Sequence, residues 1–338
     1  MRVAVQSTVF LPTPAAGAGA VEYLVAKMAE GLALRGHDIV CYCLEGSTLK
    51  VRTASVQAIG SVAAREAVIA KAIASDWPDV LFDHSLHQLA QRRFPDGAAV
   101  TMSHGVAPIS PWAHNVVFTS EHHGRLHGRE HPKAIHNGID PADWPLWGPP
   151  APPSPALRRD VGRARLCWIG RLLPYKQPHL ALQVAMDAGA DLALAGPVVD
   201  ETYYRRQIRP LLGDGRIHLG ELSHEQLPAL LRDSDAMLFT SDTTEPAGIV
   251  LLEAQASGRP VLAFAQGATP EFVGPKAGRL VGSPSQMVKA INDRFWEGFD
   301  GPAARRWVVE NRSIDAMIER AEELLQQAAS GGSWCLHP

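Results

Sequence analysis

A repeated rhythm constrains this chain more than anything else. Short apolar runs alternate with longer amphipathic stretches, and the pattern occurs on both sides of a proline-rich break. In the first half Val3–Val5, Ile39–Cys43, Val80–Phe82, Ala99–Met102 and Val116–Thr119 read as buried strands, with helices over Val21–Leu34, Val62–Ala74 and Leu86–Arg93 between them. Strands spaced by helices cannot pair as hairpins, so βαβ crossovers and a parallel sheet follow. From Pro141 to Pro155 the prolines interrupt every period. The rhythm then resumes with strands at Leu166–Ile169, Leu192–Leu194, Ile217–Leu219, Ala236–Phe239, Val261–Ala263 and Arg279–Val281. Helices are expected over Pro178–Ala188, Glu201–Leu212, Glu225–Arg232, Ile249–Ala256 and Ser285–Trp296, and an amphipathic last helix over Ile314–Gln327.

The expected fold class is α/β, with two Rossmann-like doubly wound domains facing an interdomain cleft. Residues 1–145 form the first domain, 146–164 a proline-rich linker and 165–311 the second domain, while a helix at 312–329 packs back on the first. In such sheets ligands lie outside the carboxyl ends of the strands.

Composition narrows the function classes. The 338 residues suffice for about two separate cores. A formal net charge of -3 without a basic stripe argues against a nucleic-acid partner. Cys41, Cys43, Cys167 and Cys335 are too few and scattered for a disulfide framework, which fits a reduced, cytoplasmic protein. Cys41 and Cys43 share one strand face and read as buried structural residues. Met1 leads straight into a strand with no leader-like apolar core, and no apolar stretch reaches the ~20 residues of a membrane span. A peripheral attachment to membrane stays open, as does the oligomeric state.

The chemistry concentrates in Glu245-Pro-Ala-Gly-Ile-Val-Leu-Leu-Glu253. Two carboxylates flank a loop that runs through Gly248 into an apolar helix, stopped at Ser257-Gly258-Arg259-Pro260. A helix start behind a glycine loop offers unpaired N–H groups and the positive end of the dipole, which suits a phosphate. The carboxylates suit neutral hydroxyls. A ligand carrying both groups is a sugar nucleotide.

Other motifs fit around that segment. Arg171 and Lys176, just past the strand Leu166–Ile169, place two cations where a departing diphosphate needs neutralising. Gly17-Ala-Gly-Ala-Val-Glu22 follows the first strand and opens a helix; it reads as a phosphate-approaching loop, or as tight packing of strand to helix. His104-Gly105 ends the fourth strand and is expected to touch the ligand, with His84 similarly placed after the third. His123, His127 and His131 recur every four residues, yet glycines and a proline weaken the helix and no matched carboxylate completes a metal site. Asp233-Ser-Asp235 resembles a metal-holding D-x-D but joins a helix end to a strand, where turn residues are the simpler reading. No metal is expected.

Taken together these residues resemble the glycosyltransferases of family 4, with the two-domain GT-B fold, over nearly the whole chain. The resemblance rests on Gly19-Ala-Val-Glu22, His136-Asn-Gly-Ile-Asp140, Gly170-Arg171 with Lys176, Glu245 to Glu253, and Gly267-Ala-Thr-Pro-Glu271, in that order. Ala20, Ala247 and Gln177 depart from the family pattern, and none of the three removes a charged group. The resemblance implies retaining, metal-independent transfer of a sugar from a nucleoside-diphosphate donor to a hydroxyl acceptor, with no further cofactor. By it Arg171 and Lys176 hold the diphosphate, helped by backbone N–H groups of Gly248, Ile249 and Val250. Glu245 binds donor sugar hydroxyls, Glu253 binds the ribose, and His104 lies against the sugar. Gly19, Gly170, Leu219 and Ala247 complete the donor side, and His218-Leu-Gly-Glu-Leu222 reads the base. His84 and Trp112 fall on the acceptor side, along loops Gly105–Ala113 and His122–His131. Two other readings keep the fold: a sugar-nucleotide epimerase or glycan phosphorylase, and a non-catalytic nucleotide-sugar binder. The donor base, the sugar and the acceptor are not readable.

Overall fold

The structure is a computed structural model that describes residues 1–15, 19–93, 98–148 and 162–334. Gly17 of the first loop, Cys335 and most of the expected linker lie outside the described residues. The chain divides into two compact units, Met1–Gly138 with Ile314–Pro338, and Ile139–Ser313.

In the first unit the strands are β1 (Arg2–Gln6), β2 (Asp38–Leu44), β3 (Arg52–Val56), β4 (Val80–Asp83), β5 (Ala99–Ser103), β6 (Val116–Phe118) and β7 (Lys133–Ala134). They form one parallel sheet in the order β3-β2-β1-β4-β5-β6-β7. Helices α1 (Ala20–Leu34), α2 (Val62–Asp76), α3 (Leu89–Arg93) and α4 (Glu121–Leu126) supply the crossovers. β1 and β4 are buried almost throughout, as apolar runs covered on both faces require.

The second unit repeats the plan with β8 (Arg165–Ile169), β9 (Asp191–Ala195), β10 (Arg216–His218), β11 (Ala236–Phe239), β12 (Val261–Phe264) and β13 (Gly278–Val281). Their order is β10-β9-β8-β11-β12-β13, again parallel, so the winding reverses between β8 and β11. A crevice opens at such a reversal because the two flanking connections leave in opposite directions. The helices are α5 (Pro178–Asp187), α6 (Glu201–Tyr203), α7 (Leu227–Arg232), α8 (Ile249–Ala256), α9 (Thr269–Phe272), α10 (Pro284–Asn292) and α11 (Gly301–Arg312). The last helix, α12 (Ile314–Ala329), belongs to the first unit, where it meets α1. Gly31 marks that crossing: a Cβ there would lie 2.1 Å from Ile318 Cδ1.

The division falls at Gly138–Ile139, ahead of residue 145, because Ile139 and Trp144 are buried in the second unit's core. The Arg305 guanidinium pins that stretch. It donates to the carbonyls of Pro141 and Ala256, both at 2.6 Å, and to that of Trp144.

Several expected elements are shorter or broken. The helix expected over Leu86–Arg93 starts only at Leu89, because the Glu66 carboxylate takes the N–H groups of Leu86 (2.9 Å) and His87 (3.0 Å) and Gln88 has φ 51°. The helix expected over Glu201–Leu212 is α6, then a π turn, then a 3-10 turn Arg209–Leu211, since Pro210 cannot continue the ladder. The one expected to Trp296 stops at Asn292, before left-handed Arg294. Strands β3 and β7 and helices α4, α9 and α11 carry no expectation. His131 lies beyond α4, so the three spaced histidines do not share a helix face. No helix among the described residues is long and apolar enough to cross a membrane.

Candidate active site

The residues after β8 and β11 meet at the reversal of strand order in the second unit. Past β8 the chain turns through Gly170 and Arg171 into a 3-10 turn, Pro174–Lys176, which left-handed Gln177 ends at φ 51°. The Thr240 hydroxyl, just past β11, accepts from the Trp168 indole at 3.1 Å and donates to the carbonyls of Lys176 (3.1 Å) and Gln177 (2.9 Å). The Asp242 N–H donates to the Tyr175 carbonyl at 2.8 Å. These bonds fix the backbone of Lys176 through main-chain groups.

That side chain reaches Glu245. The Lys176 ammonium donates to the Glu245 carboxylate at 2.5 Å, with the two side chains only 17% and 13% exposed. Lys176 Nζ also lies 5.4 Å from the centroid of the Tyr175 ring. Arg171 is exposed and donates a long 3.4 Å bond to the Tyr175 hydroxyl. The fold thus gathers Arg171, Tyr175, Lys176 and Glu245 into one group.

Gly248 is the N-cap of α8, with no side chain capping the first turn, and half-buried Ala247, Ile249 and Val250 surround it. A Cβ at Gly248 would sit 2.7 Å from Leu251 Cδ1, so a larger residue there would push the Leu251 side chain aside. Glu253, in the second turn, is 7% exposed, and its Oε2 has no hydrogen-bond partner. Burial pushes its carboxyl up to about 8. Its buried Oε2 is a polar atom separate from the Lys176–Glu245 pair.

Glycines let neighbouring strand ends approach. A Cβ at Gly196, after β9, would fall 1.9 Å from the Gly170 carbonyl oxygen, and its φ of +147° also disfavours a side chain. Its N–H donates to the Gly220 carbonyl at 2.8 Å, and its own carbonyl pairs with His218 Nε2 at 2.9 Å. Leu219, 38% exposed, donates its N–H to the Leu194 carbonyl at 2.9 Å. Sequence reasoning missed Gly196, although a glycine and a proline directly after an apolar strand were the available signal. Gly196→Ala is expected to destabilise the second unit by about 1–3 kcal/mol through overpacking, read as a lowered urea midpoint; an unchanged midpoint would remove the close contact from the account.

In the first unit His104, at the end of β5, lies 2.9 Å from His84 through Nε2 and Nδ1, with rings 5.2 Å apart at 27°. Burial, then the charge of His123, pushes His104 down to about 3; burial, then His104, holds His84 well below the usual histidine range. Both are neutral at pH 7. His123, pushed down to about 4 mainly by burial, and His127 meet the Gly105 carbonyl through their Nε2 atoms at 2.9 and 3.2 Å. Trp112 donates its indole N–H to the carbonyls of His87 (3.2 Å) and Gln88 (3.0 Å), and the Arg92 guanidinium lies 5.3 Å from its ring centroid.

Gly19 is the N-cap of α1, where a Cβ would meet Ala15 Cβ at 2.2 Å. The buried Glu22 carboxylate sits in the first turn of α1, bonded to the Thr8 hydroxyl, so the positive helix end already has an anion beside it. Asp233 is paired with Arg232 at 2.8 Å and Asp235 with Arg165 at 3.0 Å, in keeping with turn roles for both. No group of three or more metal-ligating side chains is present among the described residues.

Residues 154–311 match the family of glycosyl transferases group 1. A glycogen synthase of Mycobacterium tuberculosis is 35% identical over 135 residues, 38% of this chain and 30% of that protein. A GDP-mannose-dependent monoacylated alpha-(1-6)-phosphatidylinositol monomannoside mannosyltransferase of Corynebacterium glutamicum is 32% identical over 173 residues, 46% of this chain and 45% of that protein. The chain therefore matches less than half the length of these curated relatives. AviGT4, a glycosyltransferase involved in avilamycin A biosynthesis, superposes over 99% of this chain and 100% of its own with TM-score 0.77 at 21% identity. Over residues 154–311 the second unit is thus similar to glycosyl transferases group 1, and the chain as a whole has the GT-B fold.

Proposed function

We propose that the chain is a retaining, metal-independent glycosyltransferase that moves a sugar from a nucleoside-diphosphate donor to a hydroxyl acceptor. The observation that carries this reading is the Lys176–Glu245 pair at the reversal of strand order, inside the segment matched to the family. A cation there is placed for a diphosphate, and the carboxylate beside it for sugar hydroxyls. Arg171 adds a second cation, and the uncapped start of α8 at Gly248 to Val250 adds amide dipoles. The orphaned Oε2 of Glu253 supports a role in accepting hydrogen bonds from the ribose. His104, held neutral beside His84, offers the sugar a hydrogen-bonding partner without charge.

In the proposed reaction the bond from the anomeric carbon to the diphosphate breaks, and its electron pair leaves on the phosphate oxygen. The acceptor oxygen bonds to the same face of that carbon, and its proton passes to the departing phosphate. Lys176 and Arg171 stabilise the charge that develops on the leaving group, the task a divalent metal performs elsewhere. Leu219 and its neighbours are assigned to the base, and the loop bearing Trp112 to the acceptor. The free, buried Cys41, Cys43 and Cys167 support a reducing, cytoplasmic setting.

The test is turnover of UDP-, GDP- and ADP-sugars against candidate hydroxyl acceptors, with the product anomer assigned by NMR. Transfer with retention, undiminished by EDTA, is the expected result. Inversion would overturn the same-face mechanism, loss in EDTA the metal independence, and binding without turnover for any acceptor would leave a nucleotide-sugar binder.

A further inference from the structure

The ammonium proposed to grip the diphosphate is itself engaged by a carboxylate. Lys176 sits 2.5 Å from the Glu245 carboxylate, in a pair less than one-fifth exposed on either side. A charge that has lost most of its water is costly to strand, so neither partner leaves unless something replaces it. Because Thr240 and Asp242 hold the backbone of this turn, exchange of partners needs only a swing of the lysine side chain.

We propose that Glu245 is the resting partner of Lys176 and that the donor binds by exchange, its diphosphate taking Lys176 while its sugar hydroxyls take Glu245. This rests on the reading that a nucleoside-diphosphate sugar occupies the site, and adds to it a discrimination between donor and spent nucleotide. An intact donor satisfies both separated charges. The nucleoside diphosphate left after transfer satisfies only Lys176 and leaves Glu245 bare, so Glu245 recaptures the lysine and expels the product. The pair thereby acts against product inhibition.

The two roles of Glu245 predict opposite effects on the two ligands. Calorimetric titration of the full chain with UDP, GDP and ADP identifies the nucleotide the wild type takes. For that nucleotide, Glu245→Gln and Glu245→Ala are each expected to bind about three- to tenfold tighter, the size of a half-buried ion pair no longer given up. The same variants should bind the matching sugar nucleotide more weakly than wild type. In a Lys176→Ala background the gain for the bare nucleotide should vanish, because no competition remains. Equal or weaker nucleotide binding by both Glu245 variants overturns the exchange, as does a gain that persists without Lys176. A wild type that binds none of the three nucleotides overturns the underlying reading, and the exchange with it.

Discussion

Lys176→Ala is expected to lower turnover by about 10²–10³-fold, the usual cost of removing one preorganised group that stabilises charge developing on an oxygen. The variant should still fold. The 3-10 turn is held by main-chain carbonyls at Lys176 and Gln177 and by the Tyr175 carbonyl, none of which depends on the lysine side chain. Circular dichroism and thermal melting would establish that the fold survives. Steady-state kinetics would then place the loss in kcat, since charge builds on the leaving diphosphate only as the sugar departs. Near-normal transfer by a folded Lys176→Ala protein would dismiss this lysine from the chemistry and weaken the whole assignment of the second unit's crevice.

The second large effect concerns Glu253. Burial raises its carboxyl from 4.5 to about 8 in the folded chain, so between those values the folded state holds a proton that the unfolded state has released. Stability is then fully present below about pH 4.5 and falls as pH rises toward 8, because stability declines wherever the native state binds more protons. Glu253→Gln keeps the shape and removes the titration. Its unfolding free energy should match wild type near pH 4.5 and exceed it at pH 8.5 by on the order of a few kcal/mol, read as a higher melting temperature there. Above pH 8, where the wild type offers a carboxylate acceptor, the same variant should bind the nucleotide more weakly, having only an amide. Parallel melting curves across that pH range would mean the carboxyl is not strained in the empty protein.

The parts legible from sequence were those with strong local signals. Strands β1, β4, β8, β11 and β12 are short apolar runs bounded by turn residues, and all lie in buried central positions of their sheets. Helix α8 was readable to the residue because glycines bracket it at 248 and 258. Strand β3 escaped notice because an edge strand need not be apolar, and its burial is mostly partial or absent. Helix α11 escaped because Gly301-Pro-Ala-Ala-Arg-Arg-Trp-Val-Val-Glu-Asn-Arg312 buries only Gly301, Ala304 and Val308. In the candidate site the residue types could be named, but not their partners. The Lys176–Glu245 bond joins positions 69 apart, and the His84–His104 bond joins positions 20 apart. Only the order of strands in the sheet brings such residues together. Gly196 escaped for a related reason: its need for glycine comes from the backbone of Gly170, just past the neighbouring strand β8.

The second unit is a single insertion within the first, entering at Ile139 and leaving at Ser313, so α12 follows the inserted body along the chain and completes one begun much earlier. On the ribosome the inserted body can fold while its host still shows bare apolar surface on α1 and along β4 and β5, where α12 eventually docks. Until Ile318 arrives over Gly31 the host stays unfinished, its apolar surface uncovered.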